Sequence, residues 1–184
     1  MEDIKLIPKA RIPIVKFRDP RSGLDVDISL DNRLAIYNSM LMKSYAQEKR
    51  LQQLVQMVKY WASRRGVNNA FEGTLSSYAW TLLCIQHAQL VQPPLVPNRQ
   101  HENASKPISF LGTTYDVGFN DEAYASKNAQ TLASLLISFF DRFATRWDWE
   151  SMVVSIRSGN PLSTKEKKWQ QTGPLPLEVV TGAE

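Results

Sequence analysis

Residues Gly23–Asn38 read GLDVDISLDNRLAIYN, and the period of the apolar residues changes inside this stretch. Leu24, Val26, Ile28 and Leu30 alternate with Asp25, Asp27 and Ser29, the period of a strand with one buried, apolar face and one polar face. From Asp31 onward the apolar residues fall at helical spacing, with Asp31 or Asn32 available as the N-cap. The stretch therefore predicts a strand running straight into a helix, with Asp25 and Asp27 on one strand face. Such a pair admits three readings: two metal ligands, one ligand and a bystander, or a solvated strand edge. Divalent cations take one or two carboxylates together with phosphate oxygens, whereas two metals clamping a phosphoryl group usually draw on more carboxylates than one pair supplies.

Upstream, the β-branched run RIPIVKF (11–17) is a second strand, with Pro13 suited to its start or to an edge. RDPRSG between the two runs is turn chemistry. Together they predict a β-hairpin, which is too small to stand alone in water and calls for a larger sheet than these residues supply. Downstream the pattern is helical. QEKRLQQLVQMVKYWASRRG carries Leu51, Leu54, Val55, Val58 and Trp61 on one stripe and stops at Gly66, a C-cap. TLSSYAWTLLCIQHAQLV is a third, mostly buried helix ended by QPPLVP, and NAQTLASLLISFFDRFATRW is a fourth. Val153–Ile156 is a candidate short strand, LSTKEKKW (162–169) a polar helical turn, and the tail from Gln170 an extended arm. No internal repeat is visible.

The 184 residues suffice for one ordinary domain, or for one domain with a piece of a second. With 43% hydrophobic and 22% charged residues, extensive disorder is excluded. A net charge of +4 permits a polyanionic partner without demanding one. The single cysteine, Cys84, excludes an intrachain disulfide and reads as a buried, inert thiol in a reducing compartment. No run is long and apolar enough for a transmembrane helix, and the N-terminus lacks the apolar core of a signal peptide. The expectation is an intracellular protein, cytoplasmic first, with nucleus and mitochondrion open.

Several polar residues fall where they could meet a ligand, each with an ordinary alternative. Asn38 and Ser39 lie on the first helix, either as plain surface residues or aimed at a hydroxyl. Lys59 sits on the second helix, as a solvated charge or as a mobile phosphate-binding cation. Arg64 and Arg65 suit the dipole at that helix's C-terminus without any ligand. In GTLSSYAW (73–80), two serines open a hydrophobic helix, where unpaired N–H groups can bind phosphate or a serine can simply cap. Tyr78 offers a ring for stacking, although core packing is the commoner fate. His87 and His101 have no partner at metal-ligand spacing and read as packed or surface residues. Trp147, Trp149 and Trp169 read as helix anchors.

The order of these elements is more specific than any one of them. ARIPIVKF (10–17), LDVDISLDNRLAIYNS (24–39), VKYWASRRGVNNAFEGTLSSYAW (58–80), QPPLVPN (92–98) and LSTKEKKW (162–169) resemble, collinearly, the RNA terminal nucleotidyltransferases. This is the family of terminal uridylyltransferases and cytoplasmic-type poly(A) polymerases, relatives of DNA polymerase beta. The resemblance implies an α+β fold: a partial polymerase-beta-like palm in the form of a β-hairpin, then a mainly helical central domain. It implies a palm remnant over 1–31, a poly(A)-polymerase-associated helical domain over 32–169 and a tail over 170–184.

Residue by residue, Asp27 matches the family's third metal aspartate, and Asp25 has no matched role. The earlier D-x-D pair and its Gly-Ser turn do not occur before residue 10, and DVD is not that pair, because its flanks match the third-carboxylate strand. Asn38, with Ser39 beside it, matches the residue on the ribose 2′-hydroxyl. Lys59 matches a triphosphate lysine, Ser77 a phosphate-binding serine and Tyr78 the base-stacking tyrosine. Ser63 stands where some members carry a second lysine, leaving Arg64 or Arg65 as substitutes. The implied reaction is template-independent transfer of a nucleoside monophosphate from an NTP to an RNA 3′ end, with Mg²⁺ or Mn²⁺ as cofactor and no membrane partner. The segment that in the family carries a Glu-Asp-Pro-Phe run and a base-selecting residue has no match in QQTGPLPLEVVTGAE, so UTP and ATP stand equally open. The missing carboxylates predict that these 184 residues alone do not catalyse. The competing reading is a noncatalytic helical interaction module derived from such an enzyme.

Overall fold

A computed structural model describes residues 2–9, 12–101, 104–165 and 177–178, and the chain divides into two compact units, Met1–Ser39 and Met40–Glu184. The fold is α+β.

The first unit holds a three-stranded antiparallel sheet in the order β1-β2-β3, with β1 Glu2–Ile7, β2 Ile14–Arg18 and β3 Asp25–Ser29. The predicted hairpin is β2–β3, and β1 adds a strand that the sequence reading missed. The RDPRSG turn forms as its composition dictates: the Asp19 carboxylate accepts the Ser22 hydroxyl at 2.6 Å, and Gly23 turns the chain at φ +69°. Opposite residues in an antiparallel pair share a face. The register sets Val15 beside Ile28 and Phe17 beside Val26 on one face, and Lys16 beside Asp27 and Arg18 beside Asp25 on the other. The apolar face predicted to be buried is not: Val26 is half-buried, whereas Leu24, Ile28 and Leu30 each keep more than half their surface exposed. Alternation specifies a face, but only a covering layer buries it.

Helix α1, Arg33–Tyr45, follows, and the division between the units falls within it. Of the two candidate caps, Asn32 is the one used, its Oδ1 accepting the Ala35 N–H at 3.3 Å. Asp31 instead takes φ +50° and pairs with Arg33.

In the second unit, α2 (Lys49–Arg64) buries Leu51, Leu54, Val58 and Ala62 on one stripe. It ends in a Schellman turn: Gly66, at φ +65°, donates to Ser63 O and Val67 donates to Ala62 O. Helix α3 (Ser77–Leu90) is buried nearly all round from Leu82 to Gln89, as its continuous apolar sequence requires. Helix α4 (Leu132–Asp141), capped by Thr131, continues as a π-helical turn over Arg142–Arg146. Leu54, Val58, Leu82, Ile85, Leu135 and Phe139 are core residues where these helices meet. Aromatic side chains extend that core, with Phe139, Phe143 and Trp147 in successive ring contact at 5.1 and 5.2 Å.

The long connection between α3 and α4 buries Leu95, Val96, Tyr115 and Val117, and polar groups hold it as well. The Arg50 guanidinium donates to Asn128 O at 2.8 Å and Gln130 O at 3.0 Å, and Arg99 donates to Asn120 O at 2.8 Å. Within this connection lies a hairpin the sequence reading missed, β4 Pro107–Phe110 and β5 Thr113–Asp116, turning through Leu111 and Gly112, both at positive φ.

The expected strand near Val153 is β6, Met152–Ser155. Two expectations beyond it need correction. Leu162–Ser163, read as the start of a helical turn, form strand β7 antiparallel to β6, because Leu162 pairs with Val153. Leu177–Glu178, read as part of an extended arm with few packing signals, pair as β8, parallel to β6. Glu166–Trp169 and the remainder of the tail lie outside the described residues, so the anchor role of Trp169 does too. Trp147 is buried, and the Trp149 indole donates to Phe143 O at 3.0 Å.

Candidate functional site

In the first unit, strand pairing fixes the setting of Asp27. Its Oδ2 lies 2.9 Å from Lys16 Nζ, its cross-strand neighbour, and half of its side chain is exposed. Asp25 shares the face but points into solvent, with Arg18 at 3.8 Å. Among the described residues no group of three or more His, Cys, Asp or Glu side chains comes together. One half-exposed carboxylate already neutralised by a lysine does not by itself make a Mg²⁺ or Mn²⁺ site, since octahedral Mg²⁺ needs further carboxylate or phosphate oxygens. Asn38 is half-buried, and its Oδ1 is enclosed with no hydrogen-bond donor among the described residues. Ser39 is exposed and its hydroxyl donates back to Ala35 O at 2.8 Å, so its proton is committed to its own helix.

In the second unit, Lys59, Ser77 and Tyr78 lie on the two helices α2 and α3. Trp61, two residues after Lys59, meets Trp80 edge-on with ring centroids 5.7 Å apart. That contact sets the C-terminal half of α2 beside the first turn of α3. Lys59 is exposed and forms no ion pair among the described residues. Arg64, a candidate substitute cation, is turned onto Tyr60: its guanidinium lies 5.3 Å from the ring centroid and its Nε donates to the hydroxyl at 3.2 Å. Arg65 is exposed at the helix end.

Ser76 is the N-cap of α3, its hydroxyl accepting the Ala79 N–H at 3.1 Å. The cap role thus falls to Ser76 and not to Ser77, the first helical residue, which is half-buried. A helix N-terminus of this kind presents unpaired N–H groups and the positive end of the dipole. Tyr78 is half-buried in an informative way. Its hydroxyl is enclosed and has no hydrogen-bond partner among the described residues, and burial pushes its pKa up to about 12. The part of Tyr78 that meets solvent is therefore ring, which suits it to stacking and unsuits it to hydrogen bonding a ligand.

Two residues, Thr74 in the connection from α2 to α3 and Trp80 in the first turn of α3, have parts that the sequence reading missed. The Thr74 hydroxyl accepts the Asn69 N–H at 2.8 Å and donates to Asn69 O at 2.9 Å. The Trp80 indole donates to Val67 O at 2.9 Å. A threonine after a glycine, shortly before a helix cap, was the available signal.

The remaining titratable candidates are structural. Cys84 is fully buried and burial pushes its thiol up, away from reactivity. His87 is fully buried and held neutral: burial, and then the charge of Arg142, lower its pKa to about 4. Arg142 Nε donates to His87 Nδ1 at 3.1 Å, so Nε2 carries the proton and faces Ser138 Oγ at 3.1 Å. Ser138 in turn donates to Leu135 O, which leaves no activated nucleophile. His101 is exposed. No helix among the described residues is long and apolar enough to cross a membrane.

Comparison with known proteins agrees with this layout at both ends of the chain. Residues 1–47 match the family described as poly(A) RNA polymerase, mitochondrial-like, central palm domain, and residues 131–178 match the Cid1 family of poly(A) polymerases. The human poly(A) RNA polymerase GLD2 is 35% identical over 157 residues, which take in 84% of this chain and 32% of that protein. The GLD2-A polymerase of Xenopus laevis is 36% identical over 160 residues, covering 84% of this chain and 31% of that protein. The Cid1 poly(U) polymerase superimposes with a TM-score of 0.86 at 33% identity, covering 97% of this chain and 59% of that one. A Cid1 structure with Mg and 3′-dATP bound gives a TM-score of 0.86 at 34% identity, over 97% of this chain and 57% of that one. Fold and comparisons together define an α+β protein of the polymerase-beta-like class. The chain belongs to the RNA terminal nucleotidyltransferase family. It spans about a third of the length of the curated relatives it matches.

Proposed function

We propose that this chain serves template-independent addition of nucleoside monophosphates to RNA 3′ ends, with UTP or ATP as donor. In that reaction the RNA 3′-hydroxyl attacks the α-phosphorus of the NTP, a new phosphodiester bond forms, and pyrophosphate leaves. We assign residues 1–31 to the palm, 32–169 to the helical central domain and 170–184 to a tail. On this reading Lys59 sets its charge against the triphosphate and Ser77 donates a hydrogen bond to a phosphate oxygen. Tyr78 stacks on the base, and Asn38, with Ser39 beside it, meets the ribose 2′-hydroxyl. Asp27 supplies one carboxylate toward Mg²⁺ or Mn²⁺, a role that rests on family likeness and needs Lys16 to let go. The substrate RNA is placed inside the cell, the cytoplasm first.

The observation that carries the reading is that the Tyr78 hydroxyl is enclosed while the residue as a whole is half-buried, leaving ring rather than hydroxyl to meet a ligand, on the first turn of a helix whose cap is already filled by Ser76. Such a ring serves bases without regard to sequence, through stacking worth about 1–3 kcal/mol. The test is a tailing assay with a labelled RNA primer, UTP or ATP, and Mg²⁺ or Mn²⁺, using a form that includes any sequence upstream of these residues. Extension should occur and should fall at least about a hundredfold in Asp27→Ala, in keeping with the loss of a ligand that orients reacting oxygens. No extension by that form would favour the noncatalytic interaction module, a reading to which the lone carboxylate lends weight.

A further inference from the structure

The connection from α2 to α3 runs from Arg65 to Ser76, between the helix bearing Lys59 and the turn bearing Ser77 and Tyr78. It is short, contains one 3₁₀ turn at Ala70–Glu72, and must set the position of α3's first turn. Packing alone does not hold it. Val67, Thr74 and Leu75 form one wall of an almost wholly apolar pocket of about 320 Å³ whose other walls include Trp61, Trp80 and Phe140. A segment bordering open volume lacks close neighbours on that side, so dispersion contacts cannot fix it there.

Directional bonds do hold it. The Thr74 hydroxyl closes a ring on one residue, accepting from Asn69 N at 2.8 Å and donating to Asn69 O at 2.9 Å, while Thr74 N also donates to Asn69 O at 3.2 Å. Two residues after Tyr78, the Trp80 indole N–H reaches back to Val67 O at 2.9 Å. The connection is thus clamped to itself by Thr74 and tied to α3 by Trp80. We propose that Thr74 and Trp80 are positioning residues for nucleotide binding: they touch no substrate but hold Ser77 and Tyr78 in place opposite Lys59. The proposal rests on the nucleotide-binding reading of Lys59, Ser77 and Tyr78.

Thr74→Val keeps the side chain's volume and removes both hydroxyl bonds, and Thr74→Ser restores them. Trp80→Phe removes the indole N–H and keeps a ring. Two readouts separate positioning from plain stability: amide hydrogen exchange at Ala79 and Trp80, whose N–H groups are bonded to Ser76, and UTP and ATP affinity measured by titration on folded protein. Thr74→Val and Trp80→Phe should speed exchange at these two amides about tenfold or more and weaken nucleotide binding roughly three- to tenfold, the range expected when about one net hydrogen bond's worth of preorganisation is lost. Thr74→Ser should return both to wild-type values. Wild type that binds nucleotide, with Thr74→Val binding it equally well, overturns the positioning role and leaves the nucleotide site standing. Wild type that binds neither nucleotide overturns the site and the positioning role together. Unchanged exchange at Ala79 and Trp80 overturns the clamp itself, whatever the nucleotide data show.

Discussion

A tyrosine whose hydroxyl is enclosed without a partner among the described residues is a costly arrangement, and Tyr78 is one. An unsatisfied buried polar group costs about 1–3 kcal/mol, which a phenylalanine would avoid. If the ring alone serves the ligand, Tyr78→Phe should keep UTP and ATP affinity within about twofold and raise stability by up to about 1 kcal/mol, because it deletes an unpaired group. Tyr78→Ala should lose the stack, about 1–3 kcal/mol of binding. Isothermal titration and urea unfolding of the three forms decide the matter. Equal losses in Phe and Ala would mean that the hydroxyl itself touches the nucleotide. The contrast with Asp27 is instructive. Both residues stand out in the sequence, yet Tyr78's environment already restricts what it can do, whereas Asp27 is simply ion-paired to its strand neighbour, Lys16, which a solvated strand would do equally well.

Where helices α3 and α4 pack, one titratable group reports on the contact. His87 of α3 is fully buried between Ser138 and Arg142, which hold it from both ring nitrogens. Its pKa, lowered from 6.5 to about 4, means that the unfolded chain binds a proton the folded one refuses. The resulting stability is fully present above pH 6.5 and is lost as the pH falls from there toward 4, amounting to at most about 3 kcal/mol. Urea midpoints at pH 7 and pH 4.5 should therefore differ in wild type, and differ by less in His87→Leu. The same pH dependence in both would assign the loss to carboxylates elsewhere.

The helices themselves were readable because they carry their own signals: an apolar stripe on α2, a pair of serines opening α3, a continuous apolar run within it and Gly66 as a stop. The strands were read less well for a physical reason. β1, β4 and β5 are four to six residues long, too short for alternation to set a period, and each exists because it pairs with the neighbouring strand. The same holds for β7 and β8, two-residue strands that exist only because β6 pairs with them. Of the candidate site, residue types and their order were legible, and their local bonds were not. Nothing in GTLSSYAW tells which serine caps, and nothing in KYWASRR tells that Arg64 is held by Tyr60.

At the scale of the whole molecule, the two units differ in how well they satisfy their apolar residues. The second encloses a continuous core that runs from Leu41 to Ile156. The first presents a sheet face on which the pairing register and the alternation align Leu24, Val26, Ile28 and Leu30 with Val15 and Phe17, and the leucines and Ile28 remain more than half exposed. Contiguous exposed apolar surface on a protein marks an interaction face or an aggregation liability, and a three-stranded sheet draws its stability from covering such a face. The 184-residue protein should therefore bind the dye ANS at neutral pH without denaturant and elute increasingly early on size exclusion as its concentration rises. Leu24→Thr combined with Ile28→Thr places a strand-favouring β-branched residue at both positions while making the face polar. That double variant should lose most of the dye signal and elute independently of concentration, with far-UV circular dichroism unchanged. Dye binding and elution that match wild type would place the sticky surface elsewhere, on exposed residues such as Tyr60 or Ile137 of the helical unit. Loss of the dichroism signal would show that the strand needs these side chains for its own formation, and the single Ile28→Thr variant would then carry the comparison, since Val26 remains to hold the same face.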